Sequence, residues 1–220
     1  MSRIDKTIIH ESWGSDILLL YLKDAIRVLN EAYRVIQVKK KKEPYTKPAS
    51  KKKWDLENIL TEDLLEIAVD IPRKLDYLWD PESKDPKKKN RIDITIIYSL
   101  QLGFEKRLGI ECKRLKNDSD LCREYYKEGI KRFITGYYSE AMPLAGMIGY
   151  IQEGNIFKII SAINKYLDQH TTIQLLAEEK IDEILEHTYS SIHNKNKALG
   201  RIKLYHMMLD YVDLINNKSG

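Results

Sequence analysis

The chain has 220 residues, 43% of them hydrophobic and 32% charged, which suits one packed domain and is too apolar for a disordered chain. Two cysteines exclude a disulfide framework and, on their own, a four-thiolate zinc site. No apolar run approaches the ~18 residues of a membrane span, and the net charge of +4 is too small for a uniformly basic nucleic-acid coat.

That charge is unevenly placed. Lys39 to Lys53 holds eight lysines against one acid, Glu43, giving this segment +7 and the other 205 residues about −3. Such a run can contact phosphates or act as a solvated loop. The N-terminus carries Asp5 and Glu11 and lacks a basic-then-apolar pattern, so a cytoplasmic, reducing setting is expected.

In chain order, Leu18, Leu19, Leu22, Ile26, Leu29, Tyr33 and Ile36 recur at three- and four-residue steps. They predict an amphipathic helix from Asp16 to Gln37 with Asp16 as its N-cap. Pro44 and Pro48 keep the lysine run out of a helix. A second helix is predicted from Asp55 to about Asp70, ended by Pro72. Asp80 to Asn90 reads as a loop. Arg91 to Tyr98 and Arg107 to Leu115 read as strands joined by a turn around Gly103. Leu121 to Tyr138 reads as a helix, Leu144 to Ile151 as a buried strand closed by Glu153-Gly154, and Asn155 to Leu167 as a helix capped by Asn155. A helix from Ala177 and a strand over Arg201 to Leu209 complete the expectation. The fold class is α/β: a mixed sheet flanked by helices. The core is expected at about 55–168, with helical additions at 1–38 and 169–220 and a flexible lysine-rich loop at 39–53.

Successive strand side chains point to opposite faces. In the second strand Glu111 and Lys113 therefore share a face with Gly109, while Ile110 and Cys112 point to the core. In the first strand Asp93 and Thr95 share a face. If the two strands pair, Asp93 projects beside Glu111 and Lys113. Two carboxylates and an ammonium on one face call for a counter-charge, and Mg²⁺ answers with oxygen ligands and retained waters. The Cys112 carbonyl lies between Glu111 and Lys113 as a further ligand. Glu-x-Lys alone is a common triplet; it also occurs at Glu82–Lys84 and Glu178–Lys180. Only Glu111–Lys113 sits in an apolar strand with an aspartate at the start of the strand before. The competing reading is a surface ion pair on an open sheet face.

Arg91-Ile92-Asp93-Ile94 followed by Ile110-Glu111-Cys112-Lys113 resembles the motif of the PD-(D/E)XK nuclease superfamily, which has a restriction-endonuclease-like fold. The resemblance spans about residues 55 to 152. It implies Mg²⁺, with Mn²⁺ as a substitute, held by Asp93, Glu111 and the Cys112 carbonyl, with Lys113 assisting the attacking water. It also implies a glutamate from the first core helix: Glu57, with Glu62 as the alternative. The family's first meander strand has no clear counterpart in the sequence and belongs at Pro72 to Trp79.

Lys127, Lys131 and Arg132 on the following helix, with Arg114 beside the motif, are candidates for phosphate contacts; solvated charge explains them equally. The five histidines form no metal-ligand pattern, and Ser190 to Lys195 reads as a polar or surface loop. No phosphate-cradling Gly-x-x-x-x-Gly-Lys loop occurs, so ATP binding is not expected. The expectation is a metal-dependent endonuclease, acting on DNA rather than RNA by the resemblance, in prokaryotic restriction or phage defence. It would work as a homodimer or with a partner subunit and without a membrane. The alternative is a catalytically inactive subunit that binds nucleic acid or protein on the same scaffold.

Overall fold

The computed structural model describes residues 6–46, 55–81, 92–99, 105–138, 142–170, 172–181, 185–196 and 200–216. The chain opens with a long helix, α1 (Lys6–Lys40), a two-residue strand, β1 (Tyr45–Thr46), and α2 (Leu56–Ala68). Three strands follow: β2 (Leu78–Pro81), β3 (Ile94–Ser99) and β4 (Glu105–Lys116). A continuous helical rod comes next, α3 (Ser119–Glu124), a π-helical stretch (Tyr125–Ile130) and α4 (Lys131–Ile134). Then come β5 (Leu144–Glu153), α5 (Ile156–Asp168), β6 (Thr172–Glu178), β7 (Thr188–Asn194), β8 (Arg201–Asp210) and β9 (Ile215–Asn216).

Seven strands form one mixed sheet in the order β2-β3-β4-β5-β8-β7-β6. β2, β3 and β4 make an antiparallel meander, β4, β5 and β8 run parallel, and β7 and β6 return antiparallel. β1 and β9 pair separately. α1 and α2 cover one face through Leu22, Leu29, Leu60 and Leu64 against Ile94, Ile96, Ile110 and Cys112. The rod and α5 cover the other through Tyr125, Phe133, Ile159 and Ile163 against Leu115, Met147 and Leu204. β5 is buried on both faces over nine consecutive residues, which explains its near-continuous apolar sequence.

The local chemistry supports these elements. Asp55 and Asn155 cap α2 and α5 by accepting from backbone N–H groups in their first turns. Asp118 caps α3 in the same way. Gly109 is required by close approach: a Cβ there would stand 2.7 Å from Ile92 Cδ1.

Four expectations need correction. α1 begins well before Asp16, so Asp16 lies inside the helix and caps nothing. The stretch 169–220 is not a helical addition: it supplies β6, β7, β8 and β9, and β8 lies in the middle of the sheet beside β5. At the start of the helix expected from Ala177, Ala177 and Glu178 instead end β6, where pairing with β7 overrides their helix preference; 182–184 lies outside the described residues. Ser190 to Asn194 is a strand with Ser190, Ser191 and His193 buried, because it is sandwiched between β6 and β8. In the stretch Pro72 to Trp79, where a strand was looked for, β2 starts only at Leu78, and it runs on to Pro81. Within the lysine-rich run, Lys39 and Lys40 end α1, while 47–53 lies outside the described residues, as do Arg91 and the turn around Gly103.

Candidate active site

The site is built on a mismatch in strand length. β3 pairs with β4 only as far as Ile94 opposite Ile110, while β4 continues along β5 to Lys116. Alternate residues of a strand turn their N–H and C=O groups to the same edge. Cys112 and Arg114 thus present theirs where β3 has ended, and two carboxylates take them up. The Cys112 N–H donates to Asp93 Oδ2 at 2.7 Å, and the Arg114 N–H donates to Glu57 Oε2 at 3.0 Å. Asp93 is the residue immediately before β3, and Glu57 lies in the first turn of α2.

These carboxylates and Glu111 converge on one cation. Lys113 Nζ lies 2.8 Å from Glu111 Oε1, 3.1 Å from Glu57 Oε1 and 3.7 Å from Asp93 Oδ2. It also donates to the Cys112 carbonyl at 2.7 Å. The structure thus brings together Asp93, Glu111, Lys113, Glu57 and the Cys112 carbonyl. The Cys112 thiol points the other way into the core, where burial pushes its pKa well up.

The electrostatics follow from burial. Glu111 is 2% exposed, and desolvation, with Asp93 beside it, raises its pKa to about 7 against the pull of Lys113. Burial alone would lower the Lys113 pKa; Glu111, Asp93 and Glu57 outweigh it and hold the ammonium charged. Glu111 Oε2 is buried without a hydrogen-bond partner, with the Tyr138 hydroxyl as an electrostatic neighbour. Tyr138 in turn accepts from Arg132, which also pairs with Glu128.

The donor set fits a hard divalent cation. Among the described residues no three His, Cys, Asp or Glu side chains are grouped to hold a metal ion by themselves. The fit therefore rests on two carboxylates, Asp93 and Glu111, and one backbone carbonyl, which is what Mg²⁺ with retained waters needs. The orphaned Glu111 oxygen is the observation that favours it, since an unpaired buried carboxylate oxygen is costly.

Lys127 and Lys131 are exposed on the rod, and Arg132 is half-buried there. Arg114 reaches the site through its backbone. On the other side of Asp93 lies a groove of about 390 Å³ lined by Asn58, Thr61, Glu62, Glu66, Trp79 and Pro81 among others. Glu62, the alternative to Glu57, faces this groove rather than Lys113. Sequence reasoning missed Trp79 and Tyr138, which no spacing links to Glu111. It also missed the π-helical stretch that seats Gly129 against Met147 and near Lys113 Cγ, which lies 3.8 Å from where a Gly129 Cβ would stand. Compared with protein-family models, curated proteins and solved structures, the chain gives no match.

Proposed function

We propose that the chain is a metal-dependent nuclease of PD-(D/E)XK type, hydrolysing phosphodiester bonds. The observation that carries this reading is the convergence of Asp93, Glu111, Glu57 and the Cys112 carbonyl on Lys113 at the end of β3. The order of elements supports it: helix α2, the meander β2-β3-β4, a helix and the parallel strand β5. DNA as substrate, and a role in prokaryotic restriction or phage defence, rest on the sequence resemblance.

Asp93, Glu111 and the Cys112 carbonyl would hold Mg²⁺ or Mn²⁺, which supplies an acidified water and neutralises charge on a phosphoryl oxygen. Lys113 then orients the attacking water or carries developing charge. Glu57 positions Lys113 through its Oε1 while its Oε2 is anchored on the Arg114 N–H. The groove carboxylates Glu62 and Glu66 repel phosphates on the α2 side. Lys127, Lys131 and Arg132 attract them on the opposite side, so a nucleic-acid strand enters over the rod.

The second reading is an inactive binding subunit, favoured by the contacts that Lys113 already makes with all three carboxylates. Incubation of supercoiled, linear and single-stranded DNA with the protein and Mg²⁺ or Mn²⁺ decides between them. Cleavage that Lys113→Ala abolishes without unfolding supports the nuclease. DNA binding without cleavage of any substrate supports the inactive subunit.

A further inference from the structure

The Lys113 ammonium sits where a cation belongs. Four oxygens, from β4, α2 and the residue before β3, surround it at 2.7 to 3.7 Å, and three of them are the ones that fit a divalent metal: Glu111, Asp93 and the Cys112 carbonyl. Mg²⁺ draws its ligands to about 2.1 Å, and two cations cannot share a cage this small. We propose that Lys113 is a built-in competitor for the metal: its ammonium fills the seat in the metal-free protein and must leave when the divalent cation binds. This rests on the metal-dependent reading above and adds the regulation of its site.

First, without a cation the site holds Glu57, Asp93 and Glu111 close together, an arrangement that repels itself unless a positive charge stands between them. Lys113 supplies that charge from the same strand as Glu111, so the cage is assembled before any metal arrives. Second, the lysine is held by contacts that the departing state must replace. Glu57 remains as its partner, because Glu57 Oε1 is not in the metal's ligand set and its other oxygen is tied to the Arg114 N–H. Lys113 therefore has a defined second place, leaning on Glu57 at the rim of the site, where substrate would meet it. Third, the half-buried Lys113 stem passes under Gly129 of the π-helical stretch, so its path out is bounded on the rod side.

A competitor lowers apparent affinity by the fraction of molecules in which the seat is free. If Lys113 fills the seat in about nine molecules of ten, removing its ammonium tightens metal binding by about tenfold. Titration calorimetry with Mn²⁺ alone, on the full chain and without nucleic acid, measures this. Lys113→Met keeps the stem and removes the charge. Lys116→Met is the control: it removes one positive charge from the same strand, outside the cage, where Lys116 pairs with Glu153. The expected result is a gain of about tenfold or more for Lys113→Met and less than about twofold for Lys116→Met. Unchanged or weaker binding by Lys113→Met, or an equal gain in both variants, overturns the proposal, as does failure of every form to bind Mn²⁺.

A second measurement needs no variant. Acetic anhydride labelling of wild-type Lys113, followed by peptide mass spectrometry, should run several-fold faster with saturating Mn²⁺; equal or slower labelling overturns the proposal. The two readings separate cleanly. Cleavage with no affinity contrast sinks the competitor and leaves the nuclease. The affinity contrast without cleavage of any DNA does the reverse.

Discussion

The Asp93 carboxylate accepts a 2.7 Å hydrogen bond from the backbone N–H of Cys112, so an acid just outside β3 completes the ladder that β3 leaves unfinished. Asp93 thus has a structural task beside the chemical one proposed for it, and two substitutions separate them. Asp93→Asn keeps an oxygen acceptor and removes the charge. It should abolish cleavage with a melting temperature close to wild type. Asp93→Ala also leaves the Cys112 N–H unsatisfied and should lose about 1–3 kcal/mol in denaturant unfolding. Equal stability of the two variants would mean that the hydrogen bond contributes nothing.

Glu57 spans the Arg114 N–H and the Lys113 ammonium. Glu57→Gln keeps one oxygen acceptor, turns the other into a donor that faces the Lys113 ammonium or the Arg114 N–H, and loses the charge; Glu62→Gln alters the neighbouring groove only. Cleavage should fall by about one to two orders of magnitude in Glu57→Gln and stay near wild type in Glu62→Gln, an effect of ~1.4–2.8 kcal/mol on the barrier. The reverse ranking would assign the helix glutamate to position 62.

How much of this was legible in the sequence depends on the range of the interactions. Asp93, Glu111 and Lys113 were legible because strand alternation is local and the apolar residues between them announce strands. Glu57 could be named only as one of two acids, since the choice turns on how α2 docks against β4, and helical spacing does not encode docking. β8 was readable as a strand, yet its place beside β5 was not, because a parallel pairing between residues 59 apart leaves no local signature. β2 was hidden by its length: four residues ending in proline carry little periodicity. The helix expected at Ala177 failed for a related reason, since strand propensity is largely a matter of neighbours.

Glu111 makes the fold sensitive to pH. Its pKa is raised to about 7 in the fold, above the ordinary 4.5. A raised carboxylate pKa gives stability that is full below about pH 4.5 and lost as pH rises through 7. The loss is on the order of 3 kcal/mol. Glu111→Gln removes it. Its melting temperature relative to wild type should therefore climb between pH 4.5 and 7.5 in chelator-treated protein. A flat difference across that range would mean that Glu111 titrates normally.

The acidic groove beside Asp93 gives a prediction about binding. Glu62 and Glu66 stand one turn apart on α2, a like-charge spacing that weakens the helix by roughly 0.2–0.5 kcal/mol. If nucleic acid enters over the rod, neutralising this pair should tighten DNA binding modestly and uniformly across sequences. Removing Lys131 and Arg132 should weaken it and reduce the salt slope by roughly one per phosphate contact. Fluorescence anisotropy from low to physiological salt reads both. A large gain from neutralising Glu62 and Glu66, with no loss on removing Lys131 and Arg132, would place the strand over α2.

A row of buried polar side chains lies beneath the rod. His206 Nδ1 pairs with the Tyr125 hydroxyl at 2.9 Å, and its Nε2 with Ser191 Oγ at 2.8 Å; Ser191 also meets His193 Nε2 at 2.7 Å. Burial lowers the pKa of His193 to about 4, and burial together with His193 lowers that of His206 to about 3. Both are neutral in the fold, and their ordinary value is 6.5. Stability is therefore full above pH 6.5 and falls as pH drops toward 4 and 3, because the unfolded chain takes up the protons first. His206→Gln gives up hydrogen bonds and should be less stable at pH 7. Its stability should nevertheless fall less steeply between pH 6.5 and 4, by about one proton in the slope. Parallel stability curves for the two proteins would show that His206 is already charged in the fold.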